Sequence, residues 1–235
     1  MAIEFEGVSK RYGRTQALKE VSLRLEKERI YGLLGENGAG KSTLLNILGG
    51  RLPQSEGRVT VDGAPAGSDE AQGKVFIVGE SNYFPEDMKV KKAFRAAGAF
   101  LPVLGLDARH RDLFYRLLME SYAARPHTVI LSTHLIAEAA NLLEEAVILH
   151  RGRVVACEPT ENLRGALCSV SGPARLMEEF LRDKQVLSQR AVGGLRTACI
   201  QNDGKPLPPG LERSPLDLQE YFITLMEEKD KEDVG

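Results

Sequence analysis

A glycine-rich segment joins a short apolar run to a helical pattern near the start of the chain. Ile30–Leu34 is continuously apolar, which predicts a buried strand, and Lys41–Leu48 has the apolar spacing of a helix. Between them, Gly35 and Gly40 stand at the spacing of a phosphate-binding loop, with a lysine and a serine directly after the second glycine. Strand, loop and helix therefore follow in the order that a phosphate site requires.

Each residue type in this segment suits such a site. Glycines let successive N–H groups converge on an anion, and we expect that a Cβ at Gly38 or Gly40 would obstruct the concavity. Lys41 would reach the β- and γ-phosphates, and the hydroxyl of Ser42 would ligate a bridging Mg²⁺. The alternative is a strand-to-helix turn without a ligand. The expected binding residues are Gly35, Glu36, Asn37, Gly38, Ala39, Gly40, Lys41, Ser42 and Thr43.

Composition limits the partners of the chain. Its 235 residues carry 31 Lys and Arg against 33 Asp and Glu, so the net charge of −2 does not favour nucleic acid as the main partner. The acidic start predicts no signal peptide, and the longest nearly apolar run, residues 96–106, is too short to span a bilayer. These features predict a cytoplasmic protein that reaches a membrane only through a partner.

The first elements predict an antiparallel ribbon. Residues 3–6 and 21–25 alternate as strands, with a turn at residues 10–14 that places Tyr12 at the tip. Tyr12 is either a plain surface residue or an aromatic platform for an adenine ring, and the sequence leaves both open.

The remaining pattern predicts an α/β domain over residues 1–164 and a small α+β domain over residues 165–235. Predicted strands are 58–61, 74–78, 128–132, 146–149, 153–156, 167–170, 185–189 and 195–200; predicted helices are 88–99, 109–124, 135–145, 174–181 and 216–228. We expect the charged tail 229–235 to be disordered. The thiols of Cys157, Cys168 and Cys199 are expected to be buried in a reducing cytoplasm.

This order of motifs resembles the nucleotide-binding subunit of ATP-binding cassette (ABC) transporters of the bacterial export type. The resemblance implies a three-layer P-loop NTPase fold that binds ATP and Mg²⁺. It also implies an adenine contact at Tyr12, a D-loop at residues 105–108 that includes Asp107, and a switch histidine at His134. Glu80 stands where cassettes usually carry a glutamine that senses Mg²⁺ and the membrane partner. Implied partners are an integral-membrane permease and a second cassette subunit in a head-to-tail dimer.

The resemblance is interrupted between Glu80 and His134. A cassette normally carries there a helical subdomain, a signature motif of the LSGGQ type and a Walker B strand that ends in Asp and the catalytic Glu, and this chain matches none of them. An internal deletion near residues 99–104, of about 50 residues, would explain the gap. Loss of a central strand is expected to uncover apolar side chains such as Ile77, Val129 and Leu131.

Three interpretations follow from the sequence. The chain is a transporter ATPase subunit with impaired hydrolysis, a regulatory or interaction protein that binds ATP without catalysis, or a non-functional deletion product. The phosphate loop supports nucleotide binding in the first two.

Overall fold

The computed structural model describes residues 2–72, 108–133 and 135–234. The chain divides into an N-terminal unit, Met1–Cys157, and a C-terminal unit, Glu158–Gly235. The predicted elements at residues 74–78 and 88–99, the proposed deletion point near 99–104, and Glu80, Asp107 and His134 lie outside the described residues. The predicted domain division at 164/165 stays a prediction.

The described residues of the N-terminal unit form two four-stranded sheets. Its strands are β1 (Ile3–Tyr12), β2 (Thr15–Leu25), β3 (Ile30–Leu34), β4 (Glu56–Val61), β5 (Ala64–Pro65), β6 (Val129–Ser132), β7 (Glu145–His150) and β8 (Arg153–Pro159). Its helices are α1 (Lys41–Leu48), α2 (Asp69–Gln72), α3 (Ala108–Ala124) and α4 (Ile136–Ala139). One sheet has the order β2-β1-β4-β5 and is antiparallel, and the other has the order β6-β3-β7-β8.

Strand β3 occupies the interior of the second sheet. It pairs in parallel with β6, where Ile30 lies opposite Val129, and with β7, where Leu34 lies opposite Ile148. All five of its residues are buried, as expected for a strand covered on both faces. The carboxyl end of β3 leads directly into the glycine loop and α1, as the sequence predicted.

One apolar core fills the space between the two sheets and α1. Leu44, Ile47 and Leu48 recur at helical spacing on α1 and are buried against residues of both sheets, including Phe5 and Val147. Val129 and Leu131 are each 1% exposed. The expectation that these two side chains are uncovered is therefore wrong.

Three local predictions differ from the structure of the N-terminal unit. Strand β1 continues through Lys10 to Tyr12, so only the last part of the predicted turn is a turn. The predicted helix 135–145 is limited to α4, because Glu144 accepts a hydrogen bond from Ile30 N at 2.8 Å and Glu145 enters β7. Cys157 is exposed, which corrects the expectation of a buried thiol.

The C-terminal unit is a four-stranded antiparallel sheet with a helix on each face. Its elements are α5 (Thr160–Ala166), β9 (Leu167–Pro173), α6 (Ala174–Phe180), β10 (Val186–Val192), β11 (Leu195–Gln201), β12 (Glu212–Pro215) and α7 (Leu218–Val234), with the strand order β10-β11-β9-β12. Side chains alternate across a strand. Accordingly, Ala198 and Ile200 pack with Met177 of α6, whereas Cys199 packs with Tyr221 of α7.

The charged tail is helical to Val234, contrary to the predicted disorder. Lys229 pairs with Glu232 at 2.8 Å within the last turns, and Lys231 Nζ donates to the carbonyl of Leu187 at 3.1 Å. The Lys231 contact ties the tail to β10. Among the described residues, no helix is both long and apolar enough to cross a membrane.

The predicted α/β class, with an antiparallel ribbon at the start and a small α+β part at the end, is confirmed. The ribbon of β1 and β2 is half of a larger sheet, since β4 pairs with the other edge of β1.

Candidate functional site

The loop between β3 and α1 has the backbone conformation that only glycine adopts readily. Gly38 has φ +85° and Gly40 has φ +108°, both in the left-handed region where a Cβ causes strain. Gly40 is the N-cap residue of α1 and accepts the first helical hydrogen bond from Leu44 N at 2.9 Å. The glycines therefore set the direction in which the helix leaves the loop.

The space around the two glycines differs. A Cβ at Gly40 would lie 2.7 Å from the carbonyl oxygen of Ala17 and 2.8 Å from Cδ2 of Leu18, both on β2. A Cβ at Gly38 would meet nothing within 4 Å. At Gly40, a Cβ would therefore clash with the ribbon, which differs from the expected obstruction of the anion site. At Gly38, glycine is required only because of its backbone angle.

Lys41 lies across the inner side of the loop. Its Nζ donates hydrogen bonds to the carbonyl oxygens of Gly35 at 2.6 Å and Glu36 at 2.9 Å. Burial lowers the pKa of Lys41, and the nearby charge of Glu36 opposes that shift. A half-buried ammonium is thus held among carbonyl oxygens where an anion would provide a stronger partner.

A turn between β7 and β8 fixes the loop from a distant part of the sequence. Gly152 N donates to the carbonyl of Ala39 at 3.0 Å, and Gly152 O accepts from Lys19 N at 2.8 Å. The predicted strands 146–149 and 153–156 imply a turn between them, but sequence reasoning missed its contact with the loop. The glycine itself was the available signal, since its φ of +82° and its close approach to Ala17 exclude a side chain.

The other expected contacts are placed only in part. Ser42 is exposed and Thr43 is partly buried in the first turn of α1, where helix N–H groups point outward. The ring of Tyr12 is 48% exposed at the end of β1, with Lys10 Nζ 5.3 Å from its centroid. Both interpretations of Tyr12 therefore stay predictions.

The catalytic and D-loop assignments are not placed by the structure, because Glu80, Asp107 and His134 lie outside the described residues. Within residues 2–72, 108–133 and 135–234, no group of three or more His, Cys, Asp or Glu side chains could hold a metal ion. The described part of the site consists of the backbone of residues 35–40, Lys41 and the first turn of α1.

A strand that pairs in parallel on both sides and leads through this loop into a helix is typical of a P-loop NTPase fold. The dimeric structure of an ATP-binding cassette in a post-hydrolysis state, bound to ADP and Pi, resembles this chain with a TM-score of 0.55 at 19% identity, covering 67% of this chain and 98% of that one. The family model for ABC transporters matches residues 18–155. The chain belongs to the ABC transporter family.

Curated relatives include importers and an exporter. The arabinose import ATP-binding protein of Ralstonia nicotianae is 50% identical over 70 residues, which are 30% of this chain but only 14% of that protein. The Nod factor export ATP-binding protein I of Rhizobium leguminosarum bv. viciae is 28% identical over 214 residues, 66% of this chain and 68% of that one. This chain thus spans a small part of the importer and about two thirds of the exporter.

Proposed function

We propose that this chain is the ATP-binding subunit of an ABC transporter and that residues 35–43 bind the phosphates of ATP with Mg²⁺. The observation that carries the proposal is Lys41, whose half-buried ammonium donates only to the carbonyls of Gly35 and Glu36 among the described residues. A phosphate anion fits this position, because it would exchange two neutral acceptors for charged ones.

The chain's own residues would share the binding. The loop N–H groups and the first turn of α1 would surround the phosphates, and the helix dipole would favour their negative charge. Ser42 is exposed at the start of α1, where its hydroxyl oxygen would ligate Mg²⁺. Tyr12 would support the adenine ring. Bound Mg²⁺ would neutralise part of the negative charge of the phosphates.

We also propose that the transporter is an exporter. The support is coverage: the relative with an export name aligns over 66% of this chain, whereas the arabinose importer aligns over 30% and a ribose importer of Oceanobacillus iheyensis over 50%. The membrane partner would be a permease, which would hold the chain at the inner face of the membrane. A second cassette subunit would face the loop, and the cassette structure that this chain resembles is described as dimeric.

Hydrolysis is proposed to be impaired by an internal deletion. No signature motif and no Walker B carboxylate pair occur in the sequence between Glu80 and His134. Hydrolysis requires a carboxylate that orients water and a signature loop that closes over the γ-phosphate. We propose a domain boundary after residue 164, so the deletion would not affect the accessory domain, residues 165–235.

The test of nucleotide binding is calorimetric titration of the full chain with ATP and Mg²⁺. We expect Lys41→Ala to lower the affinity at least tenfold, because one charge-assisted contact contributes about 1.5–3 kcal/mol. The matched control is Lys27→Ala, since Lys27 is a surface lysine of the same unit whose side chain is 60% exposed. Equal binding by wild type and Lys41→Ala would refute the site.

A second candidate is an ATP-binding regulatory protein without transport activity. The missing signature motif favours it, because an intact loop alone supports binding but not turnover. Co-purification with a multi-span permease encoded beside this chain would exclude this candidate, and binding of ATP without such a partner would support it.

A further inference from the structure

A cleft with a mixed polar and apolar lining lies within the C-terminal unit between α7 and the uncovered part of the sheet. Its volume is about 240 Å³, below the roughly 300 Å³ at which sites for drug-sized ligands begin. The floor is formed by β10 and β11, where Ser188 lies opposite Cys199 and Arg190 lies opposite Thr197. These residues share one face of the sheet, and their hydroxyls and thiol leave room for a small ligand.

The wall of the cleft is a single stripe of α7. Glu220, Thr224 and Glu227 are spaced four and three residues apart, so they lie on the same side of the helix. Thr224 is 6% exposed and lies at the base of the wall. The two carboxylates stand about 10 Å apart along the helix axis, by the rise of 1.5 Å per residue.

The charges of the cleft are arranged with one cation opposite two anions. Arg190 and Glu227 are exposed, and neither has an ion pair with any other residue in the described ranges. Glu220 uses one carboxylate oxygen to accept from Asp217 N at 3.1 Å. Burial raises the pKa of Cys199, and the charges of Glu220 and Glu227 raise it further, so both carboxylates act on the same floor residue.

We propose that this cleft binds a free amino acid with a second cationic group, of which lysine is the simplest. The guanidinium of Arg190 matches a carboxylate with two parallel hydrogen bonds, whereas Glu220 and Glu227 match two ammonium groups. Ser188 and Thr197 add hydroxyls that accept or donate as the ligand requires. No residue of the phosphate loop takes part, so the inference goes beyond the proposed function and does not rest on it.

The test is calorimetric titration of the full chain with three probes that differ by one charged group. L-lysine carries all three charges, cadaverine lacks the carboxylate, and norleucine lacks the second ammonium. Lysine is expected to bind about tenfold more tightly than either analogue, because each analogue loses one charge-assisted contact. Binding of lysine by Lys41→Ala at wild-type affinity would separate this site from the nucleotide site.

Two variants assign the charges. Arg190→Gln is expected to weaken lysine about tenfold and leave cadaverine unchanged, while Glu227→Gln weakens both. Arg175→Gln is the matched control, because Arg175 is an exposed arginine on α6, which packs on the opposite face of the sheet. Unchanged thermal midpoints would show that the variants fold.

Three results would overturn the proposal. The first is no binding of lysine by the wild type at about 10 mM, a concentration beyond the range of a specific site. The second is norleucine or cadaverine binding as tightly as lysine. The third is an equal loss in Arg190→Gln and Arg175→Gln, which would indicate a general effect of surface charge.

Discussion

Replacing Gly40 by alanine tests whether the loop is shaped by its contact with the ribbon. The new Cβ would strain the backbone at φ +108°, at a cost of about 1–3 kcal/mol, and would clash with the oxygen of Ala17 at 2.7 Å. Overpacking of this kind adds about 1–3 kcal/mol. Gly38→Ala is the matched variant, because its φ of +85° carries the strain but its Cβ meets nothing within 4 Å.

The difference between the two variants therefore isolates the contact with β2. We expect Gly40→Ala to be less stable than Gly38→Ala by about 1–3 kcal/mol, a large part of a typical total of about 5–15 kcal/mol. Scanning calorimetry should show the transition of the N-terminal unit shifted down by about 2–4 °C per kcal/mol. Equal midpoints for the two variants would refute the argument, since the close approach of Ala17 and Leu18 would then have no energetic effect.

Three further predictions concern catalysis, pH and the last helix. Turnover of ATP by the isolated chain is expected to stay below roughly one per minute, and a faster rate that disappears in Lys41→Ala would contradict the proposed deletion. Burial raises the pKa of Tyr31 from 10.0 to about 12; because the unfolded tyrosine ionises first, the stability from this group is complete below pH 10 and is lost between about pH 10 and 12. Urea melts across that range should show a smaller loss in Tyr31→Phe, and an identical loss would exclude the mechanism. Asp217→Ala should destabilise α7 by about 1 kcal/mol in a chemical melt, because Asp217 Oδ1 accepts from Glu220 N at 2.8 Å; Asp183→Ala, an exposed residue outside the helices and strands, is its control.

Sequence reasoning succeeded where a local pattern and its tertiary role agree. The apolar run of β3 and the spacing of α1 are both fixed by burial, and both elements have the predicted bounds. The loop between them could be recognised because the spacing of its glycines indicates a backbone conformation that other residues rarely adopt.

It failed where a tertiary contact overrides local preference. Glu144 and Glu145 continue a helical pattern, but Glu144 accepts from Ile30 N and from Tyr122 Oη at 3.0 Å, and Glu145 forms an ion pair with Arg29. No local signal encodes Ile30 and Arg29, which lie more than a hundred residues away from these glutamates, and the support of Ala39 by Gly152 was missed for the same reason.

The hydrogen bonds that Gly152 makes with Ala39 and Lys19 also affect the order in which the protein is made. A ribosome completes the ribbon, β3 and the glycine segment early, and synthesises the turn that holds them roughly a hundred residues later. Until that turn emerges, Ala39 O and Lys19 N lack these partners, and we expect the loop to have no fixed shape. The ability of the loop to bind an anion should therefore appear abruptly during translation, once residue 152 has left the exit tunnel. It should not increase gradually with the length of the nascent chain.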